Sequence, residues 1–186
     1  EILNLMDFNC DQRNDIHFFY TLPINRNTAL IETTWLSDLK DNSLMDYDLQ
    51  LENYIKNNLG IKNYKINFTE KGAIPLFYPS FKDDDKTINI GSAGGMTRLS
   101  TGYTFLNIQE HSKYIVENIH EIKKIKSFKI SKKYQFLDRV FLRVLKKHPE
   151  KMPEIFLGMF KTPSNTVIKF LSNKSNIFED INIISK

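Results

Sequence analysis

The stretch that decides the reading is GSAGGMTRLSTGYTF, residues 91–105. It holds four of the chain's seven glycines: Gly91, Gly94, Gly95 and Gly102. A β-type run, Lys-Thr-Ile-Asn-Ile, precedes it, and an apolar pattern of helical period follows. Strand, glycine turn and helix start, in that order, suit backbone lying close to a phosphate or the polar edge of a ring. The spacing matches neither the dinucleotide fingerprint nor a P-loop. Read alone, the turn serves as well for a structural loop as for a ligand loop.

Upstream of it the chain reads mainly as strand. Residues 16–24 and 28–36 are β-rich, and Asn25-Arg26-Asn27 between them predicts an antiparallel hairpin. Residues 45–58 set Tyr47, Leu51, Tyr54 and Ile55 on one helical face, with Gly60 as the stop. Tyr64, Ile66 and Phe68 alternate as in a strand, which Gly72-Ala-Ile-Pro-Leu ends. Lys82 to Lys86 reads as a polar turn, and Ile88 and Ile90 as a short strand. Downstream the chain reads as helix. Residues 103–122 carry Ile108, Tyr114, Ile115, Ile119 and Ile122; residues 133–147 carry Leu137, Val140, Phe141, Val144 and Leu145. Pro149, Pro153 and Pro163 punctuate shorter helices at 151–161 and 164–172. Strands before helices make the class α+β. Three regions follow: sheet with one helix over 1–90, the glycine loop and its helix over 91–122, and a helical region over 123–186.

Composition narrows the options. The 186 residues suit one domain or a piece of a larger one. The chain opens on Glu1 with a strand already under way and is read as a fragment lacking its N-terminal part. No run reaches the roughly 18–20 apolar residues of a membrane span. The single cysteine, Cys10, excludes an internal disulfide framework and suits a reducing compartment. His17, His111, His120 and His148 show no metal-ligand spacing, so no metal is expected. Net charge is +4, but residues 123–151 carry eleven Lys/Arg against Asp138 and Glu150. Such a block is either a solvated helical face or a surface for anionic partners. No known nucleic-acid module accompanies it.

The wording of the glycine stretch is more specific than its glycine count. Gly91-x-x-x-Gly95-Met96-x-Arg98-x-Ser100-Thr101-Gly102-Tyr103 resembles the late flavin-contacting motif of lycopene cyclases. Phe19-Tyr20-Thr21-Leu22-Pro23 followed by Ala29-Leu30-Ile31-Glu32-Thr33-Thr34 is similar to that family's hairpin, and Gly72-Ala73-Ile74-Pro75 to its later Gly-x-(Leu/Ile)-Pro element. The order and spacing agree over nearly the whole chain. Two departures stand out: Thr33 replaces a second acid often found after the glutamate, and Arg98-Leu99 replaces His-Pro.

The resemblance implies the returning part of a flavoprotein-hydroxylase-like architecture without its N-terminal dinucleotide-binding segment, inactive by itself. It implies reduced FAD, with NAD(P)H as reductant, contacted by Gly91, Gly94, Gly95, Met96, Arg98, Thr101, Gly102 and Tyr103. It implies redox-neutral closure of the ends of lycopene to β-rings, in the cytoplasm at a membrane surface, with no nucleic-acid partner. Glu32 is the implied acid–base residue, in an apolar setting that keeps it protonated. Read without the resemblance, Glu32 is a surface glutamate of an edge strand. Tyr20, Trp35 and Pro75 are the implied substrate contacts; read alone they are core or strand-ending residues. A related flavin monooxygenase and a non-catalytic lipid- or partner-binding remnant are the alternatives. Gly91-Ser92 stands where such monooxygenases carry Gly-Asp, which favours the cyclase.

Overall fold

A computed structural model describes residues 3–38, 46–80 and 87–186. These fall into two compact units. The first comprises the chain up to Lys71 together with His148–Pro153; the second comprises Gly72–Lys147 and Glu154–Lys186. The class is α+β, as the sequence implies. The predicted polar turn at Lys82 to Lys86 lies outside the described residues.

The first unit is built on an antiparallel sheet of order β1-β2-β3: β1 Asn4–Asp7, β2 Ile16–Asn25 and β3 Thr28–Leu36. The predicted hairpin forms. Its turn is tighter than the three-residue connector expected: Asn25 pairs with Thr28, and the Asn25 side chain accepts the Asn27 N–H at 2.9 Å. Pro23 is tolerated in the central strand because β1 ends its pairing at Thr21 and leaves that edge without a ladder.

Register assigns the side chains to faces. Phe18, Tyr20 and Leu22 lie opposite Thr34, Glu32 and Leu30 on one face. His17, Phe19 and Thr21 lie opposite Trp35, Thr33 and Ile31 on the other. Helix α1, Tyr47–Asn53, covers the second face and runs into a π-helical turn, Tyr54–Asn58. The Phe19 and Tyr54 rings stack at 3.9 Å, as do His17 and Trp35. Gln50 is buried between them, its Oε1 accepting from Thr33 Oγ1 and Trp35 Nε1 at 2.9 Å each. Gly60 follows the π turn with φ +69, in the left-handed region.

One expected strand, around residues 64–68, does not form, and of the expected run at 86–90 the described residues keep a single β-bridge at Thr87. Residues 62–70 and 88–90 have no ladder partner among the described residues. Ile66 and Phe68 alternate in sequence, yet both are largely exposed, at 67% and 71%. Alternation encodes a pleat; a strand also needs a neighbour for its backbone groups.

The second unit holds the helices: α2 Phe105–Glu117, α3 Lys132–Lys147, most of α4 Met152–Phe160, α5 Ser164–Leu171 and α6 Ile177–Ile184. Helix α2 is shorter than expected. Asn118 at its C-cap donates its side-chain amide to Tyr114 O at 2.8 Å, and a 3₁₀ turn, Ile119–Lys124, follows. The phase of α3 also differs from expectation. Tyr134 and Asp138 are buried, while Val140 is 43% exposed. Helix α6 lies within the region expected to be helical, without bounds of its own in that reading; Asn176 and Glu179 form a capping box at its start. No described helix is long and apolar enough to cross a membrane.

Candidate functional site

The candidate residues occupy both units: Glu32, Tyr20 and Trp35 the first, Pro75 and the glycine loop the second. Glu32 sits at mid-strand in β3, directly across from Tyr20. Its carboxylate is exposed and accepts from Thr34 Oγ1 at 2.7 Å. The apolar enclosure that the resemblance implies is not made by this unit. Tyr20 is half-buried, and its ring meets Phe18 edge-on at 5.2 Å. Burial, with the Glu32 charge second, pushes the Tyr20 hydroxyl up to about 12. Glu32 therefore shares its face with a neutral phenol and the aliphatic Leu22 and Leu30. Trp35 is on the opposite face, held by His17 and Gln50. Pro75 is exposed in an irregular segment.

The glycine loop divides into an inner and an outer row. It begins as a 3₁₀ turn, Gly91–Gly94, closed by Gly94 N to Ile90 O and Met96 N to Gly91 O. Gly94 is buried; a Cβ there would fall on the Asn89 carbonyl, 2.9 Å from its carbon. A second turn closes on Arg98. Gly102 N donates to Arg98 O at 2.8 Å, and Arg98 N donates to Tyr103 O at 2.9 Å. Residues 96–100 are all buried, whereas Gly91, Gly95, Thr101, Gly102 and Tyr103 are half-buried. Gly102 adopts φ +70, and nothing lies within 4 Å of where a Cβ would stand, so bare backbone faces open space there.

The inner row is fastened by a network that the sequence alone does not reveal. Arg98 and Asp138 of α3 are both 0% exposed. Arg98 Nη2 lies 2.9 Å from Asp138 Oδ1, and Arg98 Nε donates to both carboxylate oxygens at 3.1 and 3.2 Å. Asp138 also accepts from Ser100 Oγ at 2.7 Å, Leu99 N at 3.1 Å and Tyr78 Oη at 2.9 Å. The remaining guanidinium nitrogen donates to Phe170 O at 2.6 Å and Asn173 Oδ1 at 3.2 Å. The Tyr134 and Phe170 rings lie 4.6 and 4.9 Å from the Arg98 Cζ. Asn173 continues to Asn107 Oδ1 at 3.0 Å, and Asn107 donates to Met96 O at 2.7 Å. Three consecutive loop residues thus converge on one carboxylate. Burial of Tyr78 and the Asp138 charge raise the Tyr78 hydroxyl well above its ordinary range, so it stays a donor.

Of the eight loop residues singled out from sequence, five form the outer row. Gly94 and Met96 belong to the inner one. The Arg98 side chain is committed to the interior, and what it contributes to the loop is anchorage. Asp138, Tyr78, Asn107 and Asn173 were missed. An acid in the same helical phase as Tyr134, Phe141 and Leu145 was the available signal for Asp138.

The protein-family model described as Lycopene cyclase protein matches residues 1–186. No curated protein and no solved structure matches the chain. The match covers the hairpin with Glu32 as well as the glycine loop and its anchors, and the chain belongs to the lycopene cyclase family.

Proposed function

We propose that this chain carries part of a lycopene β-cyclase, which closes the linear ends of lycopene into β-rings without net oxidation or reduction. The observation that supports it most directly is the family match over residues 1–186, which takes in both Glu32 and the glycine loop. The reaction needs a proton for the terminal double bond. The neighbouring double bond attacks the resulting tertiary cation and closes the ring. Loss of a proton then leaves the ring double bond. Glu32 is the residue that holds and moves that proton, because it is the one carboxylate of β3 and faces apolar neighbours and a neutral phenol. Thr34, donating to Glu32 Oε1, fixes the orientation of the carboxyl group. Tyr20 lines the same face and offers aromatic surface to a polyene.

The outer row of the glycine loop fits a flat ring with a polar edge. Gly102 presents backbone without a side chain, and the inner network holds that backbone still. Gly91, Gly95, Thr101, Gly102 and Tyr103 would hold FAD, which in reduced form supplies fixed negative charge beside a developing cation. NAD(P)H is the reductant proposed for it. An apolar carotenoid places the work at a membrane surface.

The test is expression of the full-length gene, and of its Glu32→Gln version, in a lycopene-accumulating bacterium, followed by pigment extraction. Ringed carotene from the first and lycopene from the second is the expected result. Untouched lycopene from a soluble, flavin-loaded wild-type protein would sink the cyclase and bring the monooxygenase forward. Equal cyclisation by both versions would remove Glu32 from the mechanism.

A further inference from the structure

Helix α3 has an outward face that the cyclase chemistry does not use. Phe136, Arg139, Val140, Arg143, Lys146 and Lys147 recur at helical spacings of three and four and are all exposed. The one acid of the helix, Asp138, is buried on the opposite side and consumed by Arg98. Arg139 Nε donates to Gln135 O within its own helix at 3.2 Å. None of the four cations forms an ion pair among the described residues. Phe136, 60% exposed, lies inside the cationic stripe, and Val140, 43% exposed, lies along its edge beside Lys147.

We infer that this face docks the protein on an anionic phospholipid surface, with the four cations at the headgroups and Phe136 and Val140 at the acyl boundary. Charge complementarity names the partner: the stripe is uniformly positive and offers no competing carboxylate. The two apolar side chains on the cationic face separate a bilayer from a polyphosphate. A lipid interface accepts charge and hydrocarbon side by side, in the manner of an interfacial amphipathic helix. The inference rests on the proposed cyclase reading only for its purpose, delivery of an apolar substrate.

The experiment is flotation of the purified full-length protein with phosphatidylcholine vesicles, with and without phosphatidylglycerol. The expected result is flotation that needs phosphatidylglycerol and is reversed by salt. Arg143→Gln with Lys147→Gln should weaken partition about 25-fold, at roughly five-fold for each cation near an anionic surface. Phe136→Ser should weaken it with the salt dependence unchanged. Vesicle binding equal to wild type in both variants overturns the inference. So does a loss confined to a DNA oligonucleotide, which would make the face a nucleic-acid surface. Conversion of lycopene in detergent micelles keeps the two readings apart. Variants that fail on vesicles should still convert it there. A wild-type protein that floats yet converts nothing leaves the docking face standing and removes the cyclase.

Discussion

Arg98 and Asp138, forty residues apart, meet at 2.9 Å with neither exposed to solvent. Burying both charges is costly, and the attraction between them does not by itself recover the loss. Here Ser100, Leu99 N and Tyr78 satisfy the carboxylate, while Phe170 O and Asn173 satisfy the guanidinium. Asp138→Asn is expected to cost about 3–5 kcal/mol, because a buried cation loses its counter-charge. Arg98→Met with Asp138→Asn should cost clearly less than the sum of the singles, the mark of coupled partners. Urea denaturation of the four proteins reads both. Additive losses would mean that the two residues act independently.

Gly94 and Gly102 are needed for different reasons, and alanine separates them. At position 94 a Cβ collides with the Asn89 backbone, which has no flexible end to yield. Gly94→Ala should destabilise by about 1–3 kcal/mol, as overpacking does. At position 102 there is room for a Cβ but φ is +70, so Gly102→Ala should cost about 1 kcal/mol from backbone strain alone. If the outer row holds flavin, Gly102→Ala should lose flavin affinity out of proportion to its stability. Thermal denaturation set against flavin titration decides it. A flavin affinity that falls only in step with stability would remove Gly102 from that surface.

The hairpin was legible because its register is local: period-two residues around a short polar turn leave few alternatives. The α3 and α4 segments were legible for a similar reason, since helical period is written within the segment itself. The failures are non-local. Ile66 and Phe68 alternate, but whether they pair depends on a neighbour that alternation does not specify. Val140 was read as core because apolar side chains ordinarily are, yet the phase of α3 is fixed by Asp138 turning inward to Arg98. A charged residue defining the buried side of a helix runs against the apolar rule and becomes visible only with its partner in place. Of the candidate site, Glu32 and the outer glycine row could be named from motif wording, whereas Tyr78, Asn107 and Asn173 carry no local signature at all.

Gln50 offers a compact test of the first unit. Its Oε1 takes the Trp35 Nε1–H and the Thr33 hydroxyl, and Trp35 is the chain's single tryptophan. Gln50→Leu keeps the volume and removes the acceptor. Leaving a buried donor unpaired costs about 1–3 kcal/mol, so a loss in that range is expected. The Trp35 emission should shift as the indole N–H loses its partner. A stability loss without a spectral change would mean that the indole environment does not depend on the Gln50 acceptor.

His17 sets a pH dependence whose sign follows from its surroundings. It is buried against Trp35, with Nδ1 2.9 Å from Asp11 O and Nε2 2.8 Å from Thr33 Oγ1. Burial lowers its pKa below the ordinary 6.5, with the Arg13 charge acting the same way and the Asp11 carbonyl against it. The unfolded chain therefore takes up a proton at a higher pH than the folded one. Stability is fully present above the unfolded value. It falls as pH drops from there toward the folded value, by at most about 1.4 kcal/mol per unit for one group. Urea midpoints followed by Trp35 fluorescence from neutral to mildly acidic pH should decline, and His17→Asn should flatten that decline. A wild-type midpoint that rises on acidification would mean that Asp11 and Thr33 hold the imidazolium better than water does, and that burial is not the dominant influence on this ring.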